Sequence, residues 1–176
     1  MKKSVLGLLL FILCAVTAQA GETSGYTPPK ISGELEKIKA LEGKWTGTTR
    51  EGDKEATSAS AEYHVTSGGT AVEEKLFPGT PHEMVSMYHD ASGKLSMTHY
   101  CMLGNQPELE MKNTDAGRID LKESAASAAL LSGQMRMGSL SVAWVDKDHI
   151  VQTWTAQDAE GKLMESTVIT LSRANG

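Results

Sequence analysis

From Gly43 onward, apolar and polar positions alternate in short runs rich in Val, Thr, Tyr, Trp and Met, each broken by Gly, Pro, Asn or Asp. Alternation with a period of two puts one side of a strand inside and the other in water, and turn signals at roughly 8–12-residue intervals are the mark of an all-β sandwich or barrel. The predicted strands fall at about 43–50, 58–66, 70–77, 83–90, 94–102, 107–112, 118–123, 135–145, 149–157 and 162–172. Ahead of them the period changes. Leu35, Ile38 and Leu41 share one face of a short helix that Ser32 caps and Gly43 follows. The stretch 124–134, SAASAALLSGQ, does not alternate and reads as a loop, a short helix or a flap.

The turns decide how the strands connect. Asp90-Ala91-Ser92-Gly93-Lys94 and Asp158-Ala159-Glu160-Gly161-Lys162 share the pattern D-A-x-G-K. Each suits a three-residue hairpin loop with Gly in the left-handed conformation. Ser67-Gly68-Gly69-Thr70 suits a two-residue reversal, and 113–117 another tight one. Consecutive strands joined this way form an up-and-down meander, and closing it removes the exposed edges. The expected fold is all-β: one antiparallel up-and-down barrel of about ten strands, with the short N-terminal helix closing one end.

Turn type fixes register, and register assigns faces. Pairing Asp90 with Lys94 sets His89 against Leu95, Met87 against Met97, Val85 against His99 and Glu83 against Cys101. Val85, Met87, Leu95, Met97, His99 and Cys101 then share the more apolar face, assigned to the interior. Pairing Ser67 with Thr70 sets Val65 against Val72, Tyr63 against Glu74 and Ala61 against Leu76. The opposite face then matches Glu62 with Lys75 and His64 with Glu73, sensible exposed contacts. Glu74 points inward beside Tyr63, and a buried carboxylate must find donors or stay protonated.

The first twenty residues are of another kind. Lys2 and Lys3 precede an apolar run from Val5 to Val16 that ends in Ala18-Gln19-Ala20, the layout of a secretory signal peptide. Cys14 inside that run allows lipidation as a rival reading, but the bulky Phe11-Ile12-Leu13 ahead of it favours cleavage after Ala20. Residues 1–20 are therefore read as the signal, 21–31 as a disordered lead-in and 32–176 as the barrel domain, in the periplasm or outside the cell. Cleavage takes the 17 basic residues to 15 against 22 acidic ones, moving the net charge from −5 to −7. No basic block remains, so neither nucleic acid nor, after cleavage, a membrane is the expected partner. Cys101 is then the lone cysteine, and packing rather than a disulfide must hold the domain.

Leu41-Glu42-Gly43-Lys44-Trp45-Thr46-Gly47 resembles the start of a calycin barrel, the superfamily of lipocalins, fatty-acid-binding proteins and nitrobindins. There a short helix closes one end, a G-x-W motif opens the first strand, and an Arg after the last strand packs over that Trp. Trp45 and Arg173 match those two positions, and the resemblance gives them a structural role. Nitrobindin-like haem binding uses a His on a late strand, and residues 150–173 contain none. No cofactor is expected.

The candidate chemistry lies inside. Glu74, Tyr63, His99 and Cys101 form a polar cluster among methionines, and with Met87 and Met97 they are the expected ligand contacts. The expected function is binding of a small, largely apolar molecule whose polar end the cluster orients. Two other readings stay open. One is a hydrolase- or isomerase-type enzyme with Glu74 and His99 as acid and base. The other is a filled barrel acting through a protein partner. No metal site is assigned, because His99 and Cys101 lack the spacing and further ligands such sites need. Nor is a Cys–His nucleophile, since residues i and i+2 stand roughly 6.5–7 Å apart along a strand.

Overall fold

Period-two alternation ends in closure. In a computed structural model describing residue 27 and residues 29–174, ten antiparallel strands form a closed barrel in the order β1-β10-β9-β8-β7-β6-β5-β4-β3-β2. The strands are β1 (Gly43–Glu51), β2 (Thr57–Thr66), β3 (Ala71–Leu76), β4 (Met84–Ala91), β5 (Lys94–Tyr100), β6 (Glu108–Thr114), β7 (Arg118–Glu123), β8 (Arg136–Trp144), β9 (His149–Gln157) and β10 (Leu163–Arg173). Two helices accompany them, α1 (Gly33–Lys39) and α2 (Ala125–Leu130), so the stretch left open in the sequence holds a short helix. The expected signal segment lies outside the described residues. Among those residues, no helix is long and apolar enough to cross a membrane.

α1 closes one end of the barrel. The Ser32 side chain accepts from the Leu35 amide, and Leu35 and Ile38 go fully into the core. Asp90 at the end of β4 accepts from both the Ser32 amide (2.6 Å) and its hydroxyl (2.7 Å), tying helix to barrel. On the other side, Trp45 donates through Nε1 to the Leu41 carbonyl at 2.7 Å. The Arg173 guanidinium lies 4.4 Å above the Trp45 ring and donates to the carbonyls of Glu42 and Ala40. One arginine thus stacks on the tryptophan and satisfies carbonyls that the end of a helix leaves bare.

The two D-A-x-G-K turns differ, and their aspartates account for it. Asp158 keeps its carboxylate at home, accepting from the amides of Glu160 and Lys162, with Gly161 at φ +82°. That is the expected three-residue loop. Asp90 gives its carboxylate to Ser32 instead. There Ala91 pairs with Lys94, leaving a two-residue turn of Ser92 and Gly93, both at positive φ.

The expected β4–β5 register is therefore wrong by one residue. Met97 faces Tyr88, His99 faces Ser86, and Tyr100 faces Val85. Ser86 and Tyr88 take the interior, whereas Val85 and Met87 move to the outer side, Met87 opposite Thr98 and Glu73. Leu95, Met97, His99 and Cys101 stay inside, all buried. The β2–β3 register is the expected one at every pair, from Ala61 opposite Leu76 to Val65 opposite Val72.

At Gly47 the neighbouring backbone comes close. A Cβ there would lie 1.9 Å from the Thr170 carbonyl oxygen and 3.1 Å from the Leu171 Cα, both backbone atoms that cannot rotate away. At Gly33 a Cβ meets nothing within 4 Å. Gly47→Ala is expected to cost at least about 3 kcal/mol, the upper end of overpacking penalties. Gly33→Ala should leave stability within about 0.5 kcal/mol, as at an unremarkable surface position. Urea denaturation of the two variants checks the contrast.

Candidate functional site

Cross-strand pairing builds a polar row through the interior. Tyr63 on β2 stands opposite Glu74 on β3, Glu74 opposite Ser86 on β4, and Ser86 opposite His99 on β5. Tyr88, one pair nearer α1 on β4, and Gln152, from β9 across the barrel, complete the group. All six are buried, and Glu74 and Gln152 are 0% exposed.

The row is a network of donors around one carboxylate. Tyr63 donates to Glu74 Oε1 at 2.6 Å, and Tyr88 donates to Oε2 at 2.7 Å. The Gln152 amide donates to Glu74 and, at 2.6 Å, to the Tyr63 oxygen. Gln152 Oε1 in turn accepts from Trp154 Nε1 at 2.9 Å. Burial raises the Glu74 pKa, opposed by hydrogen bonds from Tyr63, Gln152, Tyr88 and Ser86. Burial and the neighbouring carboxylate hold both tyrosines well above the ordinary phenol range, so they remain neutral donors.

His99 closes the row and is left incomplete. Its Nδ1 lies 3.0 Å from Ser86 Oγ, and its ring centroid is 4.8 Å from that of Trp154. Nε2 is buried with no protein partner. Burial lowers the ring's pKa from 6.5 to about 4, leaving a neutral imidazole at neutral pH. Asn105 Oδ1 is likewise buried without a protein partner.

The other expected site residues separate. Cys101 lies one inward position nearer the open end than His99, its thiol pKa raised by burial while the amides of Leu103 and Met102 hydrogen-bond to it. It makes no bond to the network. Met97 is fully buried on the α1 side of His99, in the pair row of Tyr88 and Leu109. Met87 is on the outer wall and touches none of this. Glu74 and His99 do not meet directly, because Ser86 stands between them. Among the described residues, no three His, Cys, Asp or Glu side chains gather where a metal ion would sit.

Ser86, Tyr88, Gln152 and Trp154 escaped sequence reasoning. The first two were lost with the one-residue register error. The last two carried a signal, since Ile150, Gln152 and Trp154 alternate as an inward set along β9.

The end opposite α1 is open to a cleft. Thr49, Thr57, Ser58, Phe77, Thr80, His82, Met84 and Met102 line a space of about 370 Å³, mostly apolar. Such a volume is at the small end of ligand sites. Met84 is among the lining residues and stands two positions along β4 from Ser86, roughly 6.5–7 Å.

No protein-family model matches the chain, and no curated protein resembles it in sequence. Solved structures resemble it in fold. A protein of unknown function from the DUF3598 family of Nostoc punctiforme PCC 73102 matches with a TM-score of 0.55 at 12% identity, covering 78% of this chain and 48% of its own. The chain thus spans about half the length of that relative. Rv2717c from M. tuberculosis matches with a TM-score of 0.59 at 11% identity, covering 83% of this chain and all of its own. These likenesses establish a shared barrel fold.

The buried imidazole makes stability depend on pH. Between about 4 and 6.5 the unfolded chain binds a proton at His99 that the native state does not. Stability therefore falls as pH drops through that window, by about 3 kcal/mol in all from this group. Glu74 acts with the opposite sign: its raised pKa makes the native state the better proton binder just above the ordinary carboxylate range. His99→Phe removes the first contribution and keeps the second. Denaturation midpoints from pH 7 to pH 4 should fall more steeply for wild type than for the variant, and parallel curves would contradict the assignment.

Proposed function

We propose that this barrel binds a small, largely apolar molecule head-first through the open end, as barrels of the calycin type do. The observation that carries this reading is the apolar cleft lined by Phe77, Met84 and Met102, with Met84 two residues along β4 from the Ser86 that pairs with His99. The tail would occupy the cleft, where apolar surface leaves water at roughly 25 cal/mol per Å². The polar end would displace the Met84 side chain, which flexes readily, and reach His99. The α1 half is packed with side chains down to Met97 and Leu95. Binding therefore belongs to the mouth and the polar row beneath it rather than to the whole interior.

An acid–base enzyme is less well supported. Both oxygens of Glu74 are taken by Tyr63, Tyr88 and Gln152, and Glu74 is not among the residues lining the cleft. The reading of residues 1–20 as a signal would put the binder in the periplasm or outside the cell.

Met102 is 55% exposed at the cleft, so changing it should spare the fold. Met102→Asp is expected to weaken binding of the apolar dye N-phenyl-1-naphthylamine at least tenfold, about 1.4 kcal/mol. Val145→Asp, at an exposed site beyond the end of β8, should leave binding unchanged. A fluorescence titration reads both. Equal affinities in the two variants, or no binding by wild type, would refute the cleft as the site.

A further inference from the structure

Large apolar side chains left in water gather at one end of the barrel. Of the eight exposed among the described residues, seven stand at the end opposite α1, and Val145 alone lies elsewhere. Tyr100, Met102 and Leu103 belong to the end of β5 and the loop after it, Leu130 and Met135 to α2 and the loop that follows. Leu163 and Met164 open β10. These segments are neighbours. Asn105 donates to the Met135 carbonyl at 2.9 Å, and Gln157 pairs with Arg136 on one side and Leu163 on the other. Arg136, bound to Glu123, also donates to the carbonyls of Leu131 and Gln134, which fixes the loop between α2 and β8.

α2 departs furthest from the usual pattern. Its exposed positions are Ala125, Ala126, Ala129 and Leu130. Its one hydroxyl, Ser127, is buried, donating to Glu123 and accepting from the Glu108 amide. A helix at the surface of a globular domain turns charged or polar side chains outward, and this one turns none. No charged residue occurs from Tyr100 to Pro107 or from Ser124 to Met135. A contiguous apolar surface of this kind marks a contact with something other than water.

We propose that this rim docks the barrel, open end first, on the surface of a zwitterionic lipid bilayer. The Leu and Met tips enter the boundary between head groups and acyl chains. Tyr100, two residues behind Met102, supplies the amphipathic ring that settles at head-group depth. Charge selects this occupant over the others. The remaining loops at this end carry Asp53, Glu55, Glu83, Asp158 and Glu160 against Lys54 and Lys162. Two copies meeting rim to rim would bring those acidic loops together, and anionic lipid would meet the same repulsion. A neutral bilayer meets none. The exposed rim also holds neither Trp nor Arg, the residues that most often anchor a protein partner, and is rich in Leu, which seldom does. Met102 belongs both to the rim and to the lining of the cleft, so docking sets the cleft against the lipid. The contact itself does not depend on what the cleft holds.

An indole placed on the rim tests it. The full chain carrying Leu130→Trp is titrated with phosphatidylcholine vesicles whose acyl chains are brominated, since bromine quenches only an indole that reaches it. Val145→Trp, at the α1 end, is the control, and both positions are exposed enough to spare the fold. Emission from position 130 should be quenched and shift to the blue, whereas Val145→Trp should respond no more than wild type. Adding Leu103→Asp to Leu130→Trp should raise the lipid concentration for half-quenching at least tenfold. Phosphatidylglycerol mixed into the vesicles should raise it as well. No quenching at position 130, equal quenching at 130 and 145, or tighter binding to the anionic vesicles overturns the proposal. So does a sedimenting dimer that Leu103→Asp breaks up with no response to lipid, which would assign the rim to a second copy.

Discussion

A carboxylate buried at the centre of a barrel must be supplied with donors, and in this protein Glu74 sets the terms for the rest of the interior. Leaving such a group unpaired costs several kcal/mol. The chain answers with two tyrosines and a glutamine drawn from β2, β4 and β9. Tyr63 is oriented in turn by Gln152, and Gln152 by the indole of Trp154. Fixing those partners fixes three strand registers at once. A slip of one residue would turn Tyr88 to water and leave the carboxylate short of hydrogen.

The barrel is asymmetric along its axis because of this. Toward α1, the network meets packed apolar side chains, and Tyr63 makes an edge contact with Trp45 at 6.4 Å between ring centroids. Trp45 in turn carries the Arg173 latch over the end of the helix. Toward the mouth the buried Arg136–Glu123 pair, with Ser127 and Gln157 also bonded to Glu123, holds α2 and β8 to the end of β7. The row itself ends at His99, whose Nε2 is buried without a protein partner, and Met84 and Met102 line an apolar cleft.

The strand count, the capping of α1 by Ser32 and the pairing of Tyr63 with Glu74 were legible in the sequence because local rules govern them. Alternation gives strands, a hydroxyl before an apolar periodicity gives a cap, and a Gly-Gly reversal gives a register. The β4–β5 face was not legible, for a long-range reason. Asp90 is spent on Ser32, 58 residues away, and an aspartate otherwise identical in its motif to Asp158 then closes a shorter turn. That single displacement hid Ser86 and Tyr88 and misplaced Met87. Gln152 alternates with Ile150 and Trp154 as an inward set, but its partners lie across the barrel, where no turn geometry reaches from sequence alone.

The central claim is that the interior is built around a carboxylate supplied with donors and an imidazole that burial keeps neutral. Long-range ¹H–¹⁵N NMR of the His99 ring across a pH titration reads the second half directly. The account predicts one protonated ring nitrogen at pH 7 and protonation of the second only near pH 4. A ring already half-protonated at pH 6.5 would contradict it.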